Sequence, residues 1–148
     1  MPIRDIHHVA IKTRDLDATI DFCVKVLGMT VSDQRPDLPF DGAWVDFNNT
    51  QFHLYAGDVA FDEDGTFQYG TGAIDHVALM AQDFDEMKKI VLEYGAEWRQ
   101  NRAPTGGLWQ LFVKDPSGVT FELNFPTANE PEGAIGPDDT NRYITGRF

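Results

Sequence analysis

The sequence predicts an α+β protein built from two copies of one βαβββ module. Three observations carry this. Residues 6–16 (IHHVAIKTRDL) and 74–84 (IDHVALMAQDF) repeat one another. Each repeat is followed by a helix-like apolar stripe, and each stripe by three strand-like stretches.

The first strands come from the repeat itself. His8 falls on His76 at an offset of 68 (76 − 8), Val9 on Val77 and Asp15 on Asp83. Apolar residues alternate with others and Val and Ile are frequent, which favours a half-buried strand. Asp15 and Asp83 then stand where a helix N-cap belongs, and Glu86 three residues after Asp83 suggests a capping box. In the first helix, Leu16, Ile20, Cys23, Val24 and Leu27 recur as one apolar stripe; in the second, Met87, Ile90, Val91 and Tyr94 do so. Gly28 and Gly95 stand where left-handed C-caps would end them.

The remaining strands are expected at 29–34, 43–47 and 51–56 in the first module and at 97–102, 108–114 and 119–125 in the second. Asn48-Asn49 fits a hairpin turn, and Asp115-Pro116-Ser117-Gly118 a type I turn. The organisation is therefore a single domain over 1–148, with a first module at 5–57, a Gly-rich acidic linker at 58–72, a second module at 73–125 and a polar tail at 126–148 that runs over the surface or forms a lid.

Composition narrows the functions. The net charge of −12 disfavours nucleic-acid phosphates and anionic membrane surfaces as partners. The lone Cys23 makes no internal disulfide, no signal-like or ~18-residue apolar run is present, and a cytoplasmic location is the default expectation. Asp62-Glu63-Asp64-Gly65 lacks calcium-loop spacing, and Gly70-Thr71-Gly72 precedes a strand, so neither is a ligand motif.

The repeat aligns a second pair of residues. His53, near the end of the first module, falls on Glu122, near the end of the second, at an offset of 69 (122 − 53). One donor-type residue thus lies on the first strand and one on the last strand of each half. If equivalent strands pair about a common axis, His8, His76 and Glu122 form a metal site by chemical type, with His53 as a fourth ligand. Imidazole and carboxylate suit one divalent metal per chain: Fe(II), Mn, Ni, Co or Zn. A carboxylate in the apolar strand Val-Thr-Phe-Glu-Leu-Asn-Phe is costly unless paired or metal-bound. His7, beside His8 and without a repeat partner of its kind, reads as structural.

Three stretches carry a family likeness: His8-Val-Ala-Ile with Asp15-Leu-Asp and Leu27-Gly28-Met29; Asp75-His76-Val77-Ala78-Leu79; and Gln110-Leu-Phe-Val-Lys-Asp115-Pro-Ser-Gly-Val-Thr-Phe-Glu122-Leu. They resemble the vicinal oxygen chelate superfamily, which includes glyoxalase I, methylmalonyl-CoA epimerase, extradiol dioxygenases and drug-resistance proteins. The resemblance implies a cupped, mixed eight-stranded sheet, an incomplete barrel with helices outside. It further implies a homodimer and a small-molecule substrate bound through two oxygens to the metal. His53 departs from glyoxalase I and the epimerase, which place Glu or Gln at that position.

Three functions remain open. The expectation is a dioxygenase acting on an aromatic diol; the alternatives are a glyoxalase-like lyase or epimerase and a drug-binding resistance protein. His53 and Glu122 are the candidate catalytic groups. Gln110, Tyr55 and Trp44 are candidates for substrate binding, and Trp44, Tyr55, Phe112 and Trp109 for the lining of an apolar cup. Tyr143 in the tail is a candidate to close over it. Arg102, Arg99 or Lys12 would meet an anionic substrate.

Overall fold

The computed structural model describes residues 2–148. The chain divides into two compact units, one ending at Tyr69 and one running from Gly70 to Phe148. The first contains β1 (His8–Lys12), α1 (Leu16–Lys25), β2 (Thr30–Val31), β3 (Gly42–Phe47) and β4 (Thr50–Tyr55). The second contains β5 (Val77–Met80), α2 (Phe84–Tyr94), β6 (Trp98–Arg102), β7 (Leu108–Lys114) and β8 (Thr120–Pro126). Both are βαβββ, the α+β arrangement expected from the repeat.

Hydrogen bonding groups the eight strands into two mixed sheets of four, ordered β1-β4-β3-β2 and β5-β8-β7-β6. In each, the first and last strands run parallel and the other neighbours antiparallel. The helical crossover after β1 and β5 reverses the chain direction before the meander begins, which is what lets the last strand return parallel to the first.

Register makes the repeat physical. Ala10 faces His53 in the first unit, and Ala78 faces Glu122 in the second. Trp44 also faces His53, and Phe112 also faces Glu122. The offset changes from 68 to 69 because the second hairpin is one residue longer. Asp46 pairs with Gln51 across four intervening residues, whereas Lys114 pairs with Thr120 across five. The shorter hairpin turns through Asn48 at φ 46°. The longer one is organised by Asp115, whose Oδ1 accepts from Ser117 N (2.8 Å) and Val119 N (2.9 Å) while its carbonyl accepts from Gly118 N (3.0 Å).

Strand alternation gives each sheet one apolar face. In the first unit Ala43, Val45, Phe52, Leu54 and Ile11 are buried, as are Thr19, Phe22, Cys23 and Val26 of the α1 segment. This corrects the expected α1 stripe. Val24 is exposed and Leu16, Ile20 and Leu27 are only half-buried. The helix is turned to sink the larger Phe22, and Thr19 goes with it by hydrogen-bonding Thr13 at 2.8 Å. Asp15 caps α1 as expected, accepting from Ala18 N at 3.0 Å. In the second unit Leu111, Val113, Phe121, Leu123 and Phe125 are buried together with Phe84 and Val91 of α2.

A second correction concerns α2. Asp83 makes no side-chain cap and adopts a left-handed conformation (φ 63°, ψ 66°). The N–H groups of Asp83 and Phe84 instead donate to the Glu130 carboxylate, at 3.0 and 2.7 Å. A carboxylate from the tail therefore does the work expected of a local capping box. At the other end, Gly95 closes the helix at φ 79° as expected.

The tail is tied to the second unit along its length. Asp85 accepts from the N–H groups of Ile135 and Gly136. Gly136 lies so close to the Trp109 ring that a Cβ there would come within 2.6 Å of it. Gln100 is fully buried (0% exposed) and its amide N–H groups donate to Asp138 Oδ1 and Thr140 O. Backbone bonds from Gln100 N to Asn141 O (3.0 Å) and from Tyr143 N to Gln100 O (2.9 Å) lay the tail along the edge of β6. No helix among the described residues is long and apolar enough to cross a membrane.

Candidate functional site

The residues singled out from the repeat lie on the sheet faces opposite the helices. In the first unit this face presents His8, Ala10 and Lys12 from β1, Gln51, His53 and Tyr55 from β4, and Gly42, Trp44 and Asp46 from β3. The rings of Trp44, His53 and His8 form a stack: Trp44 and His53 are 4.3 Å apart at 6°, and His53 and His8 are 3.9 Å apart at 15°. His53, 7% exposed, is held by Gln51, whose Oε1 lies 2.6 Å from Nε2. The Gln51 amide donates to Asp46 at 2.6 Å, which turns its oxygen toward His53 and makes His53 Nε2 the protonated nitrogen. The His53 pKa is lowered, first by burial and then by His8, His7 and Arg35, so a neutral ring with a lone pair on Nδ1 is the favoured form.

His8 Nδ1 lies 2.7 Å from His7 Nδ1. His7 precedes β1, so strand alternation does not orient it, and its structural role is to hold the neighbouring imidazole. Tyr55 shares the His53 face, half-buried, and packs edge-to-face on Phe40 at 5.1 Å. Lys12 is on this face too, paired with Asp62 at 3.5 Å.

In the second unit the corresponding face carries Glu122 and Asn124 from β8, Gln110, Phe112 and Lys114 from β7, and Arg99 and Asn101 from β6. Glu122 Oε1 accepts from Gln110 Nε2 at 2.6 Å, and Glu122 Oε2 lies 2.7 Å from His76 Nε2. The other His76 nitrogen, Nδ1, lies 2.7 Å from Asp75 Oδ1. Gln110 thus orients the carboxylate. Asp75 and Gln51 escaped the sequence reading. The only signals were adjacency to His76 and a two-residue spacing on the His53 face.

Two expectations need correcting. Trp109 faces Phe125 on the helix side of the sheet and packs on Phe84 at 5.8 Å and 71°, so it lines no cup beside Glu122. Arg102, paired with Trp109, has its guanidinium 5.3 Å from that ring, again on the far side.

The four expected donors come as two pairs, His8 with His53 and His76 with Glu122. Among the described residues, no group of three or more His, Cys, Asp or Glu that could hold a metal ion is assembled. The chemistry of the second pair nevertheless fits a cation. Both His76 nitrogens face carboxylate oxygens, and a neutral imidazole can donate to only one of them. With Asp75 taking the Nδ1 proton, the Nε2 lone pair and Glu122 Oε2 lie side by side and need a shared positive charge, a proton or a metal ion. Such outer support of a ligating histidine by a carboxylate is usual at metal sites.

The chain belongs to the Glyoxalase/Bleomycin resistance protein/Dioxygenase superfamily, whose family model matches residues 5–123. It is 32% identical over 126 residues to a putative lactoylglutathione lyase of Brassica oleracea var. gemmifera, covering 78% of this chain and 42% of that protein. It is 25% identical to glyoxylase I 4 of Arabidopsis thaliana, covering 82% and 70%. The match thus spans less than half the length of the Brassica relative. Among solved structures, a superfamily member from Sphaerobacter thermophilus is 26% identical, with a TM-score of 0.65 and coverage of 84% and 99%. A fosfomycin resistance protein, FosX, from Listeria monocytogenes reaches 0.66 at 17% identity and coverage of 83% and 93%, which speaks to the fold alone.

Proposed function

We propose that the chain is a metal-dependent lyase of the glyoxalase I kind, acting on a small 2-hydroxyacyl thioester or the isomeric thiohemiacetal. The observation that carries the reading is the His76–Glu122 pair, supported on its outer atoms by Asp75 and Gln110, in a family whose curated relatives bear the lactoylglutathione lyase name. In the second unit His76 and Glu122 would supply donors, and in the first unit His8 and His53 are the donor-type residues. A divalent metal bound there would supply Lewis-acid stabilisation of negative charge on substrate oxygen.

The chain's own groups handle the proton. Glu122 is the group assigned to take the proton from substrate carbon and return it to the neighbouring carbon. Gln110 holds the carboxylate in place through Oε1 at 2.6 Å. His53, neutral and held through Nε2 by Gln51, offers Nδ1 as ligand or second base. The dioxygenase expectation gains no support from the curated relatives and ranks behind the lyase; the resistance-protein alternative rests on shared fold. A homodimer stays part of the proposal, by family.

The test is reconstitution with Ni(II), Zn(II) and Fe(II), followed by assay with the thiohemiacetal of methylglyoxal and glutathione. In parallel, oxygen uptake with catechols is followed under Fe(II). Thioester formation that disappears in Glu122→Gln supports the reading. Oxygen uptake without isomerisation overturns it in favour of the dioxygenase.

A further inference from the structure

Phe112 faces Glu122 directly across β7 and β8, so the two side chains rise from the same face as cross-strand neighbours. His76 meets the edge of the Phe112 ring, with centroids 6.1 Å apart at 89°. The flat of the Phe112 ring is covered by Tyr143, whose ring lies parallel to it at 3.6 Å and 6°. Phe112 is therefore only 2% exposed, and the surface beside the carboxylate belongs to the tyrosine.

Tyr143 arrives by a built route. Glu130 on the N-terminus of α2, Gly136 against Trp109, and Gln100 bonded to Asp138 and Thr140 bring the tail along the helix side. The backbone bond from Tyr143 N to Gln100 O then passes it over the β6 edge onto the Glu122 face. Tyr143, Gly146 and Phe148 line a cavity of about 80 Å³ with Thr120 and Asp75, the carboxylate that supports His76. That is space for several waters or one small substituent.

We propose that Tyr143 is a specificity-determining residue on the Glu122 side of the site, its ring forming the wall against which a flat apolar substituent of the substrate packs. Tyr143 lies beyond residue 123, where the family match ends, so this selectivity belongs to the tail and not to the shared modules. The proximity to Asp75 and Glu122 also shows in the phenol, whose pKa is raised by burial and by both carboxylates. The hydroxyl thus stays protonated, leaving the wall uncharged beside Glu122. The proposal rests on the metal reading above, and the experiment separates the two.

Zinc-loaded protein is titrated calorimetrically with benzohydroxamate and with acetohydroxamate, which share the chelating group and differ in the flat ring. Wild type should prefer the aryl probe by about tenfold, the scale of one aromatic stack. Tyr143→Ala should bring the ratio near unity with zinc content unchanged. Tyr143→Phe should keep the preference, and Ile144→Ala, on the exposed part of the tail, should behave as wild type. If Tyr143→Ala does not fold, Tyr143→Leu, which keeps bulk without a flat ring, takes its place. An unchanged ratio in the alanine or leucine variant overturns the proposal alone. Failure of wild type to bind zinc and both probes overturns the metal reading and this proposal with it.

Discussion

Glu122 Oε1 and Gln110 Nε2 lie 2.6 Å apart across the antiparallel β7–β8 pair, and this bond decides which carboxylate oxygen is left to meet His76. The diagonal reach from Gln110 to Glu122 works because Gln110 also leans on Asn101 and Asn124, each at 3.3 Å. An oriented carboxylate on a sheet, rather than on a loop, is a rigid part of a site.

Removing the support should weaken metal binding without abolishing it. Asp75→Asn and Gln110→Ala are each expected to lower metal affinity by roughly 10- to 100-fold, the usual scale for outer partners of metal ligands. His76→Ala and Glu122→Ala should lose the metal altogether. Competition against a fluorescent chelator measures all four, and full retention in the last two would end the metal reading.

Acidification should destabilise the fold through His53. Its pKa is lowered on folding, so the unfolded chain binds the proton more readily and stability is lost as pH falls below about 6.5. His53→Gln should show a smaller drop in urea midpoint between neutral and mildly acidic pH than wild type. Equal drops would mean that His53 is not the group responsible.

Asp115 acts in the opposite direction. Burial pushes its carboxyl up to about 6, against the pull of three backbone N–H groups, and Oδ2 has no hydrogen-bond partner among the described residues. A raised acid pKa favours the protonated form in the fold, so this group's contribution is present below the unfolded value near 4 and lost as pH rises through 6. Asp115→Asn keeps an acceptor for Ser117 and Val119 and removes the buried charge. Its stability relative to wild type should improve between pH 4 and 7, by at most about 3 kcal/mol. A constant difference across that range in denaturant titrations would contradict the assignment.

The Glu130 cap should be worth measuring alone. Glu130→Ala leaves the Asp83 and Phe84 N–H groups of α2 without their carboxylate and is expected to cost about 1–2 kcal/mol. Guanidinium unfolding gives the value, while Asp83→Ala, whose side chain makes no cap, should cost less than Glu130→Ala.

Much of the architecture was legible because it is periodic. The Asp15 cap, the Gly95 terminus, the β7 strand and the Asp115 turn each depend on residues a few positions apart, where backbone geometry ties spacing directly to structure. Duplication made His8 equivalent to His76 and His53 equivalent to Glu122, and that equivalence was legible. The adjacency of His8 to His53 and of His76 to Glu122 was not, because it comes from the parallel pairing of first and last strands within each unit. The α1 stripe failed because helical periodicity marks several apolar residues without saying which is largest when the helix meets the sheet, and Phe22 prevailed over Val24.

By itself the sequence determined the two modules, the succession of elements along each and the chemical type of the donors, since these follow from local spacing and from internal repetition. The tertiary structure alone decided that Glu130 caps α2, that Trp109 turns away from Glu122 while Tyr143 covers Phe112, and that Gln51 and Asp75 hold the imidazoles. Most of those contacts join residues far apart in the chain, and even the near ones depend on where a side chain points. They are set by what the folded backbone brings within hydrogen-bond or stacking distance, which no spacing rule encodes.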